Sequence, residues 1–73
     1  MRWARGDSVI VSHHGVEVVG RVLLVSSNRR SIAITYSGTL AGCAEMMPLL
    51  LLDDGTWQCV PTGAAIGLRD ALG

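Results

Sequence analysis

Gly6-Asp7-Ser8-Val9-Ile10-Val11-Ser12-His13-His14-Gly15-Val16-Glu17-Val18-Val19-Gly20-Arg21-Val22 is the stretch whose reading decides the fold. Gly6-Asp7 opens a run rich in β-branched residues, so Ser8–Ser12 predicts a first strand. His13-His14-Gly15 is a short polar connection in which glycine supplies a positive φ, the mark of a tight hairpin. Val16–Ser26 then continues as strand for eleven residues, long for a small domain. Its inward parity is expected to carry Val16, Val18, Gly20, Val22 and Leu24, with Gly20 placed where the strand would bulge or bend to serve two sheets. Turn, strand, tight turn and long bent strand is how a small, highly curved β-barrel begins.

Beyond this opening, Ser26-Ser27-Asn28-Arg29-Arg30 is a polar turn. Ser31–Tyr36 alternates cleanly, with Ile32, Ile34 and Tyr36 on one face, and predicts a half-buried strand. Ser37–Glu45, holding Gly38 and Gly42, reads as a loop. Met46–Asp53 is an apolar run in which Pro48 demotes the beginning to an edge or bulge, leaving Leu49–Leu52 as a strand covered on both faces. Asp53-Asp54-Gly55 is a hairpin signal, and Thr56–Val60 is the returning strand. Pro61-Thr62-Gly63 predicts a tight turn or a single 3₁₀ turn before a last strand, Ala64–Arg69. Residues 70–73 are expected to fray. No segment has helical periodicity. The expected fold is all-β: one small SH3-like barrel domain over residues 1–73, with five to six strands.

The resemblance behind that name lies in Gly6-Asp7-Ser8-Val9, Gly15, Gly20-Arg21-Val22, and Pro61-Thr62-Gly63 before Ile66-Gly67-Leu68. These resemble the Tudor/KOW-type branch of small SH3-like barrels, bacterial or phage in type, over nearly the whole chain. Such barrels occur in nucleic-acid-binding, peptide-binding and structural modules, so the resemblance implies a fold rather than one activity. The opening Gly-Asp-x-Val, the length and the barrel are also similar to the type II dihydrofolate reductases, which build one pore from a tetramer. That resemblance implies an oligomeric, nicotinamide-dependent reductase. The Val-Gln-Ile-Tyr pore motif of those enzymes is absent, with Ile32-Ala33-Ile34 and Thr56-Trp57-Gln58 in its stead.

Composition narrows the function classes. Hydrophobic residues make up 49% of the 73 positions and glycine adds nine, together about 60% where soluble domains run near 45–50%. Charged residues are only 16%, against a usual figure of about 25%. A chain this short has little interior, so part of the surplus is expected in an interface between copies. Met46, Met47, Leu49 and Leu51 are the residues read as that interface. Six arginines balance six acidic residues, with no lysine. The basic excess of a nucleic-acid binder is missing, and a Schiff-base lysine is excluded. No apolar run reaches membrane-spanning length, and the N-terminus leads into turn chemistry rather than a leader; the expectation is a cytoplasmic protein that does not engage membranes.

Candidate chemistry is sparse. Cys43 and Cys59 lack metal-ligand spacing, and in a reducing compartment both read as small core residues rather than a disulfide. His13 and His14 read as a polar hairpin tip, and an Arg21–Glu17 pair is expected on the outer face. Arg29 and Arg30, with Asn28 beside them, could hold a phosphate or a partner's carboxylate. Tyr36 and Trp57 are the rings that could complete such a site, although Tyr36 alternates with core isoleucines. Trp57 is expected to seal one barrel end or an interface, with Trp3 as a cap at the other. No catalytic residue, metal or cofactor is assigned. The reading is a non-enzymatic binding or adaptor module that self-associates with a protein or peptide partner in view; the alternative is a weak nucleic-acid binder using Arg29 and Arg30.

Overall fold

The computed structural model describes residues 3–71. Six antiparallel strands follow one another around a closed barrel: β1 (Ser8–His13), β2 (Val16–Val25), β3 (Ser31–Leu40), β4 (Cys43–Leu51), β5 (Trp57–Cys59) and β6 (Ala65–Asp70). Closure comes from β6, which pairs with β5 at Trp57↔Ile66 and with β1 from Val9↔Asp70 to Ser12↔Gly67. Every described element is a strand, as the sequence predicts, and the architecture is compatible with an SH3-like barrel. The Cα radius of gyration is 10.9 Å.

The interior is filled by alternate residues of each strand: Val9 and Val11, Val22, Ile32, Ile34 and Tyr36, Met47 and Leu49, Trp57 and Cys59, and Ile66, with Trp3 packed among them. Period-two alternation places these on one face of each pleat. The clean Ile32, Ile34, Tyr36 alternation is realised as expected, and all three are buried. Trp3 is held by the turn that follows it, where Gly6 N–H donates to Val22 O at 2.8 Å and Val22 N–H to Asp7 O at 2.9 Å.

Two hairpins use the same device. His14 (φ 50°) with Gly15 (φ 80°), and Ala41 (φ 53°) with Gly42 (φ 83°), form two-residue links between β1 and β2 and between β3 and β4. Consecutive positive φ values are the type I′ geometry, whose twist matches that of the strands. The second link corrects the expected loop over Ser37–Glu45. β3 runs on to Leu40, with a register shift between Thr35 and Thr39 that absorbs Ser37 and Gly38 as a bulge. The small, mildly polar composition there reflects a bulged hairpin arm.

Other corrections begin where parity breaks locally in β2. The β2 bulge falls between Val22 and Leu24, not at Gly20. It turns Leu24 outward, 57% exposed, against its expected inward place, and Val16 is outward too. Gly20 is buried for another reason: a Cβ there would lie 2.6 Å from Ile34 Cγ2. Pro48 lies inside β4, which starts five residues before it. Val60 N–H donates to Pro48 O at 3.0 Å, and no donor returns from the proline, so the β4–β5 ladder stops there. The run after it is covered on one face only, since Leu49 is buried and Leu50 is exposed. The Pro61-Thr62-Gly63 segment is a turn closed by Gly63 N–H to Cys59 O at 2.8 Å, with no 3₁₀ helix. Asp70 belongs to β6 instead of a frayed tail, and residues 72–73 lie outside the described part.

Candidate functional site

The Ser26–Ser31 turn holds the three residues singled out as a binding cluster, and local hydrogen bonds shape it. Asn28 Oδ1 accepts from Ser26 Oγ at 2.7 Å and from Arg30 N–H at 3.0 Å, so Asn28 serves the turn itself. Arg30 Nη2 donates to Leu51 O at 3.1 Å and to Asp53 Oδ1 at 2.9 Å, tying this turn to the next one along the barrel. Both partners of that ion pair are well exposed, which makes it a weak contributor to stability. Arg29 instead sits at φ 60°, in the left-handed region.

A non-glycine residue in the left-handed region carries a steric cost of about 1–2 kcal/mol. Arg29→Gly is therefore expected to stabilise the fold by about 0.5–1 kcal/mol after the added freedom of the unfolded chain is counted. Chemical denaturation reads this directly, and a loss of stability would mean that the Arg29 side chain makes a contact of consequence.

Tyr36 and Trp57, the two candidate rings, are both in the core at 8% exposure. Tyr36 Oη donates to the carbonyl oxygens of Cys43 and Leu40 across the β3–β4 hairpin. Burial, with the adjoining Cys43 thiol adding to it, pushes the Tyr36 phenol above its ordinary value, so it stays a donor. Buried as they are, neither ring offers an exposed face for stacking, although Trp57 pairs with Leu51, the residue whose carbonyl Arg30 bonds.

The charged outer face is organised by barrel closure. Glu17 accepts from Arg69 Nη2 through both carboxylate oxygens at 2.9 Å, not from Arg21. Four residues along a strand separate Arg21 from Glu17 by about 13 Å, whereas Ser12 pairs with both Glu17 and Gly67 and so brings β6 alongside. Asp54 Oδ1 accepts from Thr56 Oγ1 at 2.6 Å and from Thr56 N–H at 3.0 Å, and these bonds hold its carboxyl below the ordinary range. His13 Nδ1 lies 3.2 Å from Ala65 O, with the His14 ring edge-on at 4.0 Å between centroids. Among the described residues no three His, Cys, Asp or Glu groups gather as a metal site, and no helix is long and apolar enough to cross a membrane.

What the fold does assemble is an apolar row on the outside of β2, β3 and β4. Leu24 pairs with Ala33, Ala33 pairs with Pro48, and Val60 bonds to Pro48 from the far side. Leu24 and Val60 are more than half exposed, and Leu23, Met46 and Leu50 are exposed around them. A groove of about 400 Å³ runs between Leu24, Val25, Ile32, Ala33 and Pro48. Of the four residues read as an interface, Met46 lies on this outer side and Leu51 is half-buried. Met47 and Leu49, 0% and 1% exposed, are corrected to core residues with no surface to offer a partner. The row escaped sequence reading because Val22-Leu23-Leu24-Val25 are all apolar, so the bulge that flips their parity leaves no trace in residue type. A second, polar groove of about 370 Å³ lies beside it, lined by Ser8, Arg21, Thr35 and Ser37 among others.

No protein-family model matches the chain, and no curated protein or solved structure matches it either.

Proposed function

We propose that this barrel, of the Tudor/KOW-like branch of SH3-like folds, is a non-enzymatic binding module that pairs with a second copy of itself through the outer face of β2, β3 and β4. The observation that carries the reading is the row Leu24, Ala33, Pro48 and Val60, an apolar line crossing three strands in register. Isolated surface hydrophobics are ordinary; a contiguous patch is not. A second copy is the occupant of choice because an apolar row is self-complementary about a two-fold axis. The chain's formal net charge is zero, so two copies approach without net repulsion. A standard interface buries about 800 Å² per partner, roughly a fifth of the 4406 Å² exposed by the described residues.

Light scattering on the eluting full chain at micromolar concentration tests this. The expected mass is a multiple of the chain mass, falling to one chain for Leu24→Asp combined with Leu50→Asp, with the β circular-dichroism spectrum retained. A monomeric wild-type chain overturns the proposal, as does a double variant that folds and stays associated.

A further inference from the structure

The deepest chemistry in the barrel is a pair of thiols that no turn, pocket or surface accounts for. Cys43 opens β4 and Cys59 ends β5, sixteen positions apart, and their Sγ atoms lie 3.1 Å from each other inside the core. Both are free. Reaching the S–S bond length requires the sulfurs to close by about 1 Å. Where they meet, the sheet is open: β5 pairs with β4 only from Leu49↔Cys59 to Leu51↔Trp57, so Cys43 has no main-chain link to β5. We infer that Cys43 and Cys59 are an oxidation site, closing to an intrachain disulfide with a peroxide-class oxidant and stapling the start of β4 to the end of β5.

The surroundings set the order of events. Burial pushes the Cys59 thiol up, but hydrogen bonds from Thr62 and from Cys43 outweigh it and bring Cys59 below its ordinary value. Burial and the Cys59 contact push Cys43 up to about 11. Cys59 is therefore the sulfur that ionises first, with the Cys43 thiol as its donor. The Cys59 thiolate attacks one peroxide oxygen and breaks the O–O bond, giving a sulfenic acid and, after proton uptake, one water. Cys43 sulfur then attacks the sulfenic sulfur, losing its proton as the second water departs. Two thiols and one hydrogen peroxide become one disulfide and two waters. A small oxidant suits sulfurs this enclosed, since Cys43 is 7% and Cys59 0% exposed. The bond would close a loop of about 15 residues, a constraint expected to raise the melting temperature by about 10–20 °C.

The experiment treats the folded full chain with hydrogen peroxide and follows intact mass, titratable thiols and thermal unfolding. The expected product has lost two hydrogens, has no thiol that alkylates after denaturation, remains a single chain on non-reducing electrophoresis and melts 10–20 °C higher, all reversed by dithiothreitol. Thiols that stay alkylatable, mass gains of added oxygen without the loss of two hydrogens, or links between chains overturn the inference. Cys43→Ala and Cys59→Ala must each abolish the melting shift; a shift persisting in either also overturns it. Should a variant fail to fold, the wild-type mass alone decides.

Discussion

Gly20→Ala is expected to lower the melting temperature by about 10–20 °C, a loss of roughly 3 kcal/mol at the upper end of overpacking costs. Gly20→Val should leave no cooperative transition. The reason is crowding where β2 serves two neighbours, since Gly20, like Arg21 after it, pairs with both β1 and β3, at Val9 and Tyr36. An added Cβ would lie 2.6 Å from Ile34 Cγ2, 3.0 Å from Thr35 O and 3.4 Å from Val11 Cγ2. The carbonyl belongs to the sheet backbone and cannot swing aside. A single core of this size supplies only about 3–5 kcal/mol, so the two further methyls of valine exceed what the fold can absorb. Gly67 is the control: there the added atom would meet only the Ser12 hydroxyl, the mobile end of a side chain. Gly67→Ala should therefore cost far less, and Ser12→Ala should remove most of that cost. Ile34→Leu, which deletes the Cγ2 branch, should partly rescue Gly20→Ala, a coupling that a double-mutant cycle detects. A Gly20→Ala protein melting within a few degrees of wild type would contradict the close approach of β2 to β3.

The contrast between those glycines also marks how far the sequence could be read. Local chemistry was legible wherever a residue type has one job: Gly15 after a polar tip, Gly55 after two aspartates, Ile32 and Ile34 in strict alternation with the small residues Ser31, Ala33 and Thr35. These signals are enough to specify an all-β barrel. They fail where every option is apolar. Nothing within Val22-Leu23-Leu24-Val25 or Met46-Met47 says which side chain faces inward, because that depends on a bulge set by β3 and on the partner strand. Gly20 was legible as special, but its purpose was not, since the atoms that exclude a Cβ come from Ile34, Thr35 and Val11. The thiol pair was hidden for the same reason. Cys43 and Cys59 meet inside the core although no main-chain pairing joins them, and sixteen residues of sequence carry no record of it.

Adjacent methionines on β4 offer the sharpest test of that register, and of the outer face built on it. Met47 is wholly enclosed and pairs with Ile34, while Met46, 48% exposed, pairs with Thr35 on the opposite side. Met47→Asp would bury a carboxyl in the hydrophobic core, where Met47 is 0% exposed, a penalty of several kcal/mol even if the group takes up a proton. Even Met47→Ala removes enough packing to cost about 2–5 kcal/mol. Against a total of about 3–5 kcal/mol, the aspartate variant is expected to show no folded population by circular dichroism. Met46→Asp should stay within about 0.5 kcal/mol of wild type in monomer stability and shift the association equilibrium towards single chains. Because strand side chains alternate, a one-residue slip of β4 would exchange the two outcomes. A folded Met47→Asp protein beside an unfolded Met46→Asp protein would thus overturn the register, and with it the placing of Leu24, Ala33, Pro48 and Val60 in one row. If Met46→Asp folds but associates as strongly as wild type, the register survives and the self-pairing face must lie elsewhere on the barrel.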